Sequence, residues 1–415
     1  MAILAVNAGS SSLKFSLHPL EGGQVLPHSL SGNVQGLEPG GTPEMGWSFQ
    51  GQKHTETLAV PAGAAPFTVA LERLRRLVQE LAAAQGIQAV AHRVVHGGGE
   101  YTASVRVTDE VLERLTRFNS LAPLHQPHNL EGIRRFRAAF PEVAQVACFD
   151  TAFHAHMPEV DYAFALPKEL RDQGVRRYGF HGLSYQYIMS VLQEQTLRGR
   201  GRVVMAHLGN GASLCAAREG VSVATTMGFS ALDGLMMGTR SGSLDAGVLL
   251  YLMEQGWDHG RIEKLLYKQS GLLGVSGISA DMRALRADGS ADAQRAIAQF
   301  THRVVRETGA LIACLDGLDV LAFSGGIGEN DIAFRASVVD YASDALVIEV
   351  TGDKGKVDAI KAFAKQGAGI VAAFVILPEL KVVGLDLGAQ GSNVAVHQTI
   401  QSGFGRQPAE SVSTS

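Results

Sequence analysis

Residues 2–18 read AILAVNAGSSSLKFSLH, and this stretch decides the fold. Residues 2–6 are an unbroken apolar run that ends in Asn-Ala-Gly-Ser-Ser-Ser, and residues 12–18 then alternate. The pattern predicts a buried strand, a small-residue turn and a returning strand. The same plan recurs at 202–207 (RVVMAH), which runs into Leu-Gly-Asn-Gly-Ala-Ser and hairpin strands at 213–218 and 221–225. A further apolar strand at 319–323 (DVLAF) ends in Ser-Gly-Gly-Ile-Gly-Glu-Asn. The recurrence is architectural, with no clean sequence repeat.

Between these hairpins, strands alternate with helices. Residues 32–66 are rich in Gly and Pro and read as loops with short edge strands. Leu71, Leu74, Val78 and Leu81 place an amphipathic helix over 67–85. A strand at 87–95 runs into His96-Gly-Gly-Gly, helices follow at about 108–118 and 129–140, and 143–149 is a buried strand that ends at Asp150-Thr151. Further helices are expected at about 245–255, 259–268 and 291–315. Such alternation argues for the α/β class.

The 415 residues suit two domains at roughly 100–200 residues each. The chain is 46% hydrophobic and 18% charged, which excludes a disordered polymer. The net charge of −4 gives no field for nucleic acid. Cys148, Cys215 and Cys314 lie far apart in apolar runs, so they read as buried thiols of a reducing compartment, the cytoplasm. The N-terminal stretch does not read as a signal peptide, and no run of about 18 apolar residues suggests a membrane span.

Ligands of α/β sheets bind beyond the carboxyl ends of strands. Asn7 to Lys14 offers backbone N–H groups, hydroxyls and one cation there; an ordinary Ser-rich turn is the alternative. Glycine-rich turns at 207–213 and 325–330 have the same character, whereas the P-loop spacing and the protein-kinase motifs are absent. Arg93 and Arg240 sit in apolar, glycine-bounded settings, where a guanidinium fork matches carboxylate or phosphate oxygens or forms a structural ion pair. Asp150 is placed to hold Mg²⁺ or orient a nucleophile, or to cap a helix. His125, His154, His156 and His181 match no zinc spacing. His181, between Phe180 and Gly182, is placed to donate to transferring oxygens.

Taken together, the runs NAGSSSLKF, AHRVVHGGG, LAPLHQPHN, FDTAFH, RRYGFHG, HLGNGAS, GLMMGTRSG, GVSGISADMR and FSGGIGEN resemble the acetate kinase family of the acetate and sugar kinase, Hsc70 and actin superfamily. They run in the family's order from residue 3 to about 335. The resemblance implies two domains of the duplicated actin-like (ribonuclease H-like) βββαβαβα fold, with the nucleotide in the cleft between them. The division would be 1–150, completed by about 381–400, then 151–380, with 401–415 a disordered tail. It implies Mg²⁺-dependent transfer of the γ-phosphoryl group of ATP to acetate, giving acetyl phosphate and ADP, with Mn²⁺ as a substitute metal, and a homodimer.

Carried over by position, the resemblance implies that Asp150, Arg93, His181, Arg240 and His125 are catalytic. Lys14, Ser10, Ser12, His207, Leu208, Gly209, Asn210, Gly211, Asp281, Met282, Arg283, Gly326, Ile327, Gly328, Glu329 and Asn330 would hold the nucleotide. Asn7 and Asp150 would face the metal, and Val95, Leu124, Phe180 and Ala231 would line the acyl pocket. Family members commonly carry proline at the position of Ala231. The smaller side chain leaves room for one more methylene, worth ~1–3 kcal/mol, so acetate with appreciable propionate activity is expected.

After about Arg335 the chain departs from the family. The family's glutamate-bearing turn is missing, and Glu379 in Leu-Pro-Glu-Leu is the nearest stand-in for a metal ligand. Residues 345–366 read as a strand, a turn and a helix; 382–396 resemble the phosphate-binding hairpin of the superfamily's Hsp70 branch, with a Gly-rich turn between two strands as the favoured reading. The rival readings are a kinase for propionate or another short-chain acid, and a nucleotide-binding protein with little turnover.

Overall fold

The computed structural model describes residues 1–339 apart from Ser10, 83–85 and Leu124; beyond Val339 it describes only the strands Val347–Ile348, Val375–Ile376, Leu385–Asp386 and Ala395–Val396. The expectations for Ser10, Leu124, Glu379 and the 401–415 tail therefore lie outside the described residues.

The quoted stretch folds as read. Strand β1 (Ala2–Ala8) turns into β2 (Ser12–Glu21), and the two pair antiparallel with Asn7 opposite Lys14. Next come β3 (Gln24–Val25), β4 (Leu30–Gln35), β5 (Glu44–Phe49) and β6 (Gln52–Thr57). These strands give regular structure to much of a segment whose Gly and Pro content suggested loops with short edge strands. After the helix Pro66–Ala82 come β7 (Ile87–Val94), β8 (Val105–Arg106) and β9 (Ala144–Phe149). The order in this sheet is β6-β5-β4-β2-β1-β7-β9-β8.

The second sheet comprises β10 (Arg202–Leu208), β11 (Ala212–Arg218), β12 (Val221–Thr225), β13 (Val320–Ser324), β14 (Val347–Ile348) and β15 (Val375–Ile376), in the order β12-β11-β10-β13-β14 with β15 also pairing β13. In the first sheet, the series β4-β2-β1-β7-β9 has the same layout. In both, a hairpin precedes a parallel strand that pairs with the hairpin's first member. The duplication that sequence could show only as architecture is thus explicit in strand order.

Helices cover both sheets. The 66–82 helix buries Ala70, Leu71, Leu74, Leu77 and Val78 against the first. The helix Ala291–Leu315 starts where Ser290 accepts from Ala293 N at 3.3 Å and buries Ala293, Ala296, Phe300, Val304, Leu311 and Leu315. Truncating a side chain such as Phe300 to alanine would cost about 3–5 kcal/mol. The same helix corrects the cysteine reading. Cys314 lies between two core-facing leucines yet points outward and is exposed, and Cys148 is half-buried; only Cys215 is buried. Burial pushes the Cys215 thiol up to about 12.

Sequence reading assigned no element to the helix Gly182–Gln195, although Tyr185, Ile188, Met189 and Leu192 have helical spacing and are buried. Gly182 opens it in a place no larger residue fits. Its N–H donates to Asp150 O at 2.8 Å, and a Cβ there would lie 2.2 Å from that oxygen.

Candidate active site

Strands β1, β7 and β9 run parallel, so their carboxyl ends bring Asn7, Arg93 and Asp150 side by side. Arg93 donates to Asp150 through Nε at 3.1 Å to each carboxylate oxygen and through Nη2 at 2.6 Å to Oδ2. Its Nη1 reaches Asn7 Oδ1 at 3.4 Å. The Asp150 side chain is 3% exposed and that of Arg93 34%, so the pair is anchored from below and open above. The Asp150 charge holds the Arg93 guanidinium above its ordinary value. Asp150 caps no helix: the short turn after it starts at Thr151. Lys14, opposite Asn7 in the hairpin, is exposed beside the row.

Asn129 ties this wall together. Its Nδ2 donates to Ala8 O at 2.7 Å and its Oδ1 accepts from Val95 N at 3.1 Å, which joins the ends of β1 and β7. Asn129 lies on the helix Gln126–Ala139, with His125 at the amino-terminal cap position and no side-chain cap bond.

The opposite wall comes from the second sheet. His181 takes a left-handed conformation (φ 60°) just before the 182–195 helix. Its Nδ1 is 2.8 Å from Ser213 Oγ, which is 2.5 Å from the Tyr185 hydroxyl. The His181 ring lies 4.3 Å from that of His207, whose Nδ1 is 2.9 Å from Ser184 Oγ. Arg240 donates through Nη1 to Ala231 O at 2.6 Å.

The charges of the two walls act on one another. Burial, then the Arg240 and Arg93 charges, pushes His125 down to about 4. Burial, then His207, Arg93 and Arg240, holds His181 well below its ordinary value. Burial pushes His207 down to about 4, with Arg93 adding to it. Burial also lowers Arg240, and Arg93 acts in the same direction. The histidines are therefore neutral hydrogen-bonding groups at pH 7, and the two arginines carry the positive charge.

Glycine loops face the space between the walls. A Cβ on Gly211 would lie 3.5 Å from both Arg240 Nη2 and His181 Nε2. A Cβ on Gly209 would lie 3.9 Å from Gly326 N, so the turns after β10 and β13 adjoin. Gly238 N donates to Asn210 O at 3.0 Å, and a Cβ on Gly238 would meet Ala280 O at 3.2 Å, which brings in the segment before Asp281. Asp281 caps the helix Met282–Asp288 and pairs with exposed Arg283 at 2.6 Å. Met282 is buried in the core. Glu329 is buried and its Oε1 accepts from Gly325 N at 3.0 Å, so it shapes the turn from behind. Asn330 Nδ2 donates to Gly326 O at 2.9 Å. Ser12 closes the first hairpin by accepting from Gly9 N at 2.8 Å through its carbonyl. Val95 and Phe180 are buried in one apolar cluster, with Ala231 packed against it.

Sequence reasoning found the charged groups and missed their supports: Asn129, Gln126, Ser213, Tyr185 and Thr151. Gln126 and Asn129 carried a readable signal, because they fall at helical spacing with buried Leu130, Ile133 and Phe136. A polar residue on a core-facing stripe needs a buried partner.

Comparison with known proteins gives the family. The model of the acetokinase family matches residues 2–376. An acetate kinase of Rhodopseudomonas palustris (strain TIE-1) is 47% identical over 355 residues, covering 82% of this chain and 86% of that protein. One of Methylocella silvestris is 49% identical over 357 residues, covering 81% and 85%. Among solved structures, a propionate kinase from Francisella tularensis superposes with a TM-score of 0.75 at 36% identity, covering 82% of this chain and 87% of that one. Porphyromonas gingivalis acetate kinase gives 0.72 at 35% identity, covering 84% and 89%. With both sheets and the site's charged groups in place, the chain belongs to the acetokinase family.

Proposed function

We propose that the chain is an acetate kinase, which reversibly transfers the γ-phosphoryl group of ATP to acetate and gives acetyl phosphate and ADP. The observation that carries this reading is that Arg240 Nη2 and His181 Nε2 meet at Gly211 while the charge of Arg93, paired with Asp150, acts on both. Phosphoryl transfer needs little covalent help and much positioned charge. Arg93 commits Nε and Nη2 to Asp150 and holds Asn7 only weakly through Nη1, so that edge is free to take a carboxylate or phosphoryl oxygen. Arg240 is braced by Ala231 O and turns Nη2 toward the same space.

His181 acts there as a neutral donor. Burial keeps the Tyr185 proton in place, far above the ordinary phenol range. Where Tyr185 donates to Ser213 and Ser213 to Nδ1, the ring proton of His181 sits on Nε2, the atom that faces Gly211. Such donors favour the transferring group over the bound substrate because its oxygens gain charge in flight. Acetate is ionised at neutral pH, so no base is required, and Asp150 serves as orienter of Arg93 and metal partner.

The family implies a divalent metal. Asp150 and Asn7 supply hard oxygens at adjoining strand ends, a donor set that fits Mg²⁺. Among the described residues no three His, Cys, Asp or Glu side chains come together as a metal cluster. Phosphate oxygens would therefore complete the shell, and Mn²⁺ would substitute. Once bound, the metal would neutralise charge on the phosphates. The turns at 207–211 and 326–330 and the segment 281–283 would wrap the nucleotide, with 1–150 and 151–380 as the two lobes. The test is ADP release from ATP that depends on both acetate and added Mg²⁺.

Val95, Phe180 and Ala231 support a small apolar acyl pocket, and the methyl-sized Ala231 favours appreciable propionate turnover. We also propose a homodimer. The helix Ala246–Glu254 (AGVLLYLME) buries no residue, and Leu250, Tyr251 and Met253 are 63%, 58% and 56% exposed. So apolar a face marks an interface, and a second copy offers its own complement. No helix among the described residues is long and apolar enough to cross a membrane, and the free thiols fit a cytoplasmic location.

A further inference from the structure

His96 follows the catalytic strand and is fully buried, yet neither sequence nor function gave it a role. Its surroundings fix it unusually firmly. Gln126 grips its backbone from both sides, accepting from His96 N at 3.1 Å and donating to His96 O at 2.9 Å. The next amide, Gly97 N, donates to Thr151 Oγ1 at 3.1 Å, one residue beyond Asp150. Gly98 N donates to His96 Nδ1 at 2.9 Å. Nδ1 is therefore the acceptor, and the ring proton sits on Nε2. That N–H is buried and has no hydrogen-bond partner among the described residues.

The ring instead meets aromatic rings. It packs T-shaped against Tyr178 and Phe180, with ring centroids 4.5 Å and 5.5 Å away, and Phe118 is tilted against it at 6.1 Å. An N–H directed at an aromatic face recovers part of a hydrogen bond. Tyr178 and Phe180 flank Gly179 and lead into His181. The segment is held on another side by His154, whose Nε2 lies 3.0 Å from Phe180 O. His96 thus joins the loop that follows Arg93 to the segment that carries Phe180 and His181.

We propose that His96 is a positioning residue, which sets the Phe180 wall of the acyl pocket and the approach of His181 to Arg93. The inference rests on the acetate kinase reading. Its observation is the buried, partnerless Nε2–H wedged against two aromatic rings between the walls of the site. Loss of the wedge displaces the acyl pocket, whereas the nucleotide turns at 207–211 and 326–330 are built from other elements.

Two variants separate the ring's parts. His96→Asn keeps an acceptor for Gly98 N–H and removes the ring edge and Nε2–H. His96→Gln extends an amide toward the Nε2 position. Steady-state kinetics of both are compared with the parent, alongside thermal unfolding. The expected result is a KM for acetate raised roughly tenfold in His96→Asn, with an altered acetate-to-propionate ratio, an unchanged KM for ATP, and partial recovery in His96→Gln. Unchanged constants for both acids would overturn the proposal. So would a parallel loss toward acetate and ATP with lowered thermal stability, the mark of a general packing defect. If His96→Asn does not fold, His96→Gln is read by the same criteria. An inactive parent overturns the kinase reading itself, an outcome distinct from an active parent with indifferent variants.

Discussion

Acidification from pH 7.5 to 5 should remove much of the stability of this protein, and three buried histidines outside the row of site residues carry a large part of the loss. His92, His96 and His154 are 2%, 0% and 0% exposed. Burial pushes each down to about 4 from an ordinary value of 6.5. Because the folded value lies below the unfolded one, the unfolded chain takes up protons first as pH falls. The stabilisation is complete above about pH 6.5, is lost progressively toward pH 4, and levels off below that. At pH 5 each histidine has lost about 2 kcal/mol relative to pH 7.5, or ~6 kcal/mol together. That is comparable to the whole stability of an ordinary domain, about 5–15 kcal/mol. Asp281, held down to about 2 by Arg283, does not oppose this, since its contribution fades only below about pH 4. Urea unfolding followed by circular dichroism at pH 7.5, 6 and 5 measures the change. His92 bonds Gln145 Oε1 at 2.7 Å through Nε2, so His92→Gln removes one titrating group and should lessen the pH-dependent loss by about 2 kcal/mol. A stability that stays flat between pH 7.5 and 5, or the same loss in His92→Gln, would refute the reasoning.

Other expectations follow from single contacts. Gly211→Ala places a methyl group 3.5 Å from Arg240 Nη2 and His181 Nε2; turnover should fall by roughly 100-fold or more while the melting temperature stays near the parent value. Ala231→Pro should narrow the acyl pocket and raise the acetate-to-propionate ratio of kcat/KM by about 10-fold; an unchanged ratio would remove Ala231 from the pocket. Light scattering with size-exclusion chromatography should report a dimer, and Leu250→Glu with Tyr251→Glu should yield monomers; a monomeric parent would contradict the use of that helix as an interface.

The sequence made the strand-turn-strand hairpins legible because buried strands with small-residue turns leave a local signature. Arg93, Asp150, His181 and Arg240 stood out because charge in an apolar, glycine-bounded run is itself a signal. What joins them was not legible. The bidentate contact of Arg93 with Asp150 spans 57 positions, and the Ser213 support of His181 spans 32; both come from strand order and register. Residues 44–49 and 52–57 form strands despite sparse apolar content because β4 offers β5 an edge to pair with and β5 in turn offers one to β6. The left-handed turn at His181 accompanies the close approach of Gly182 to Asp150, a long-range contact. Cys314 misled because an apolar run on a helix contains an outward face as well as an inward one.

The central claim is that Arg93, Asp150, His181 and Arg240 form one phosphoryl-transfer site for a short carboxylic acid. The most direct measurement traps acyl phosphate as hydroxamate, with ATP, Mg²⁺ and either acetate, propionate or butyrate, in the parent and in Arg240→Ala. The account predicts strong product with acetate, appreciable product with propionate, little with butyrate, and a loss of at least about 100-fold in the variant. No acyl phosphate from any acid in a folded parent that binds ATP would contradict it, as would full activity in Arg240→Ala.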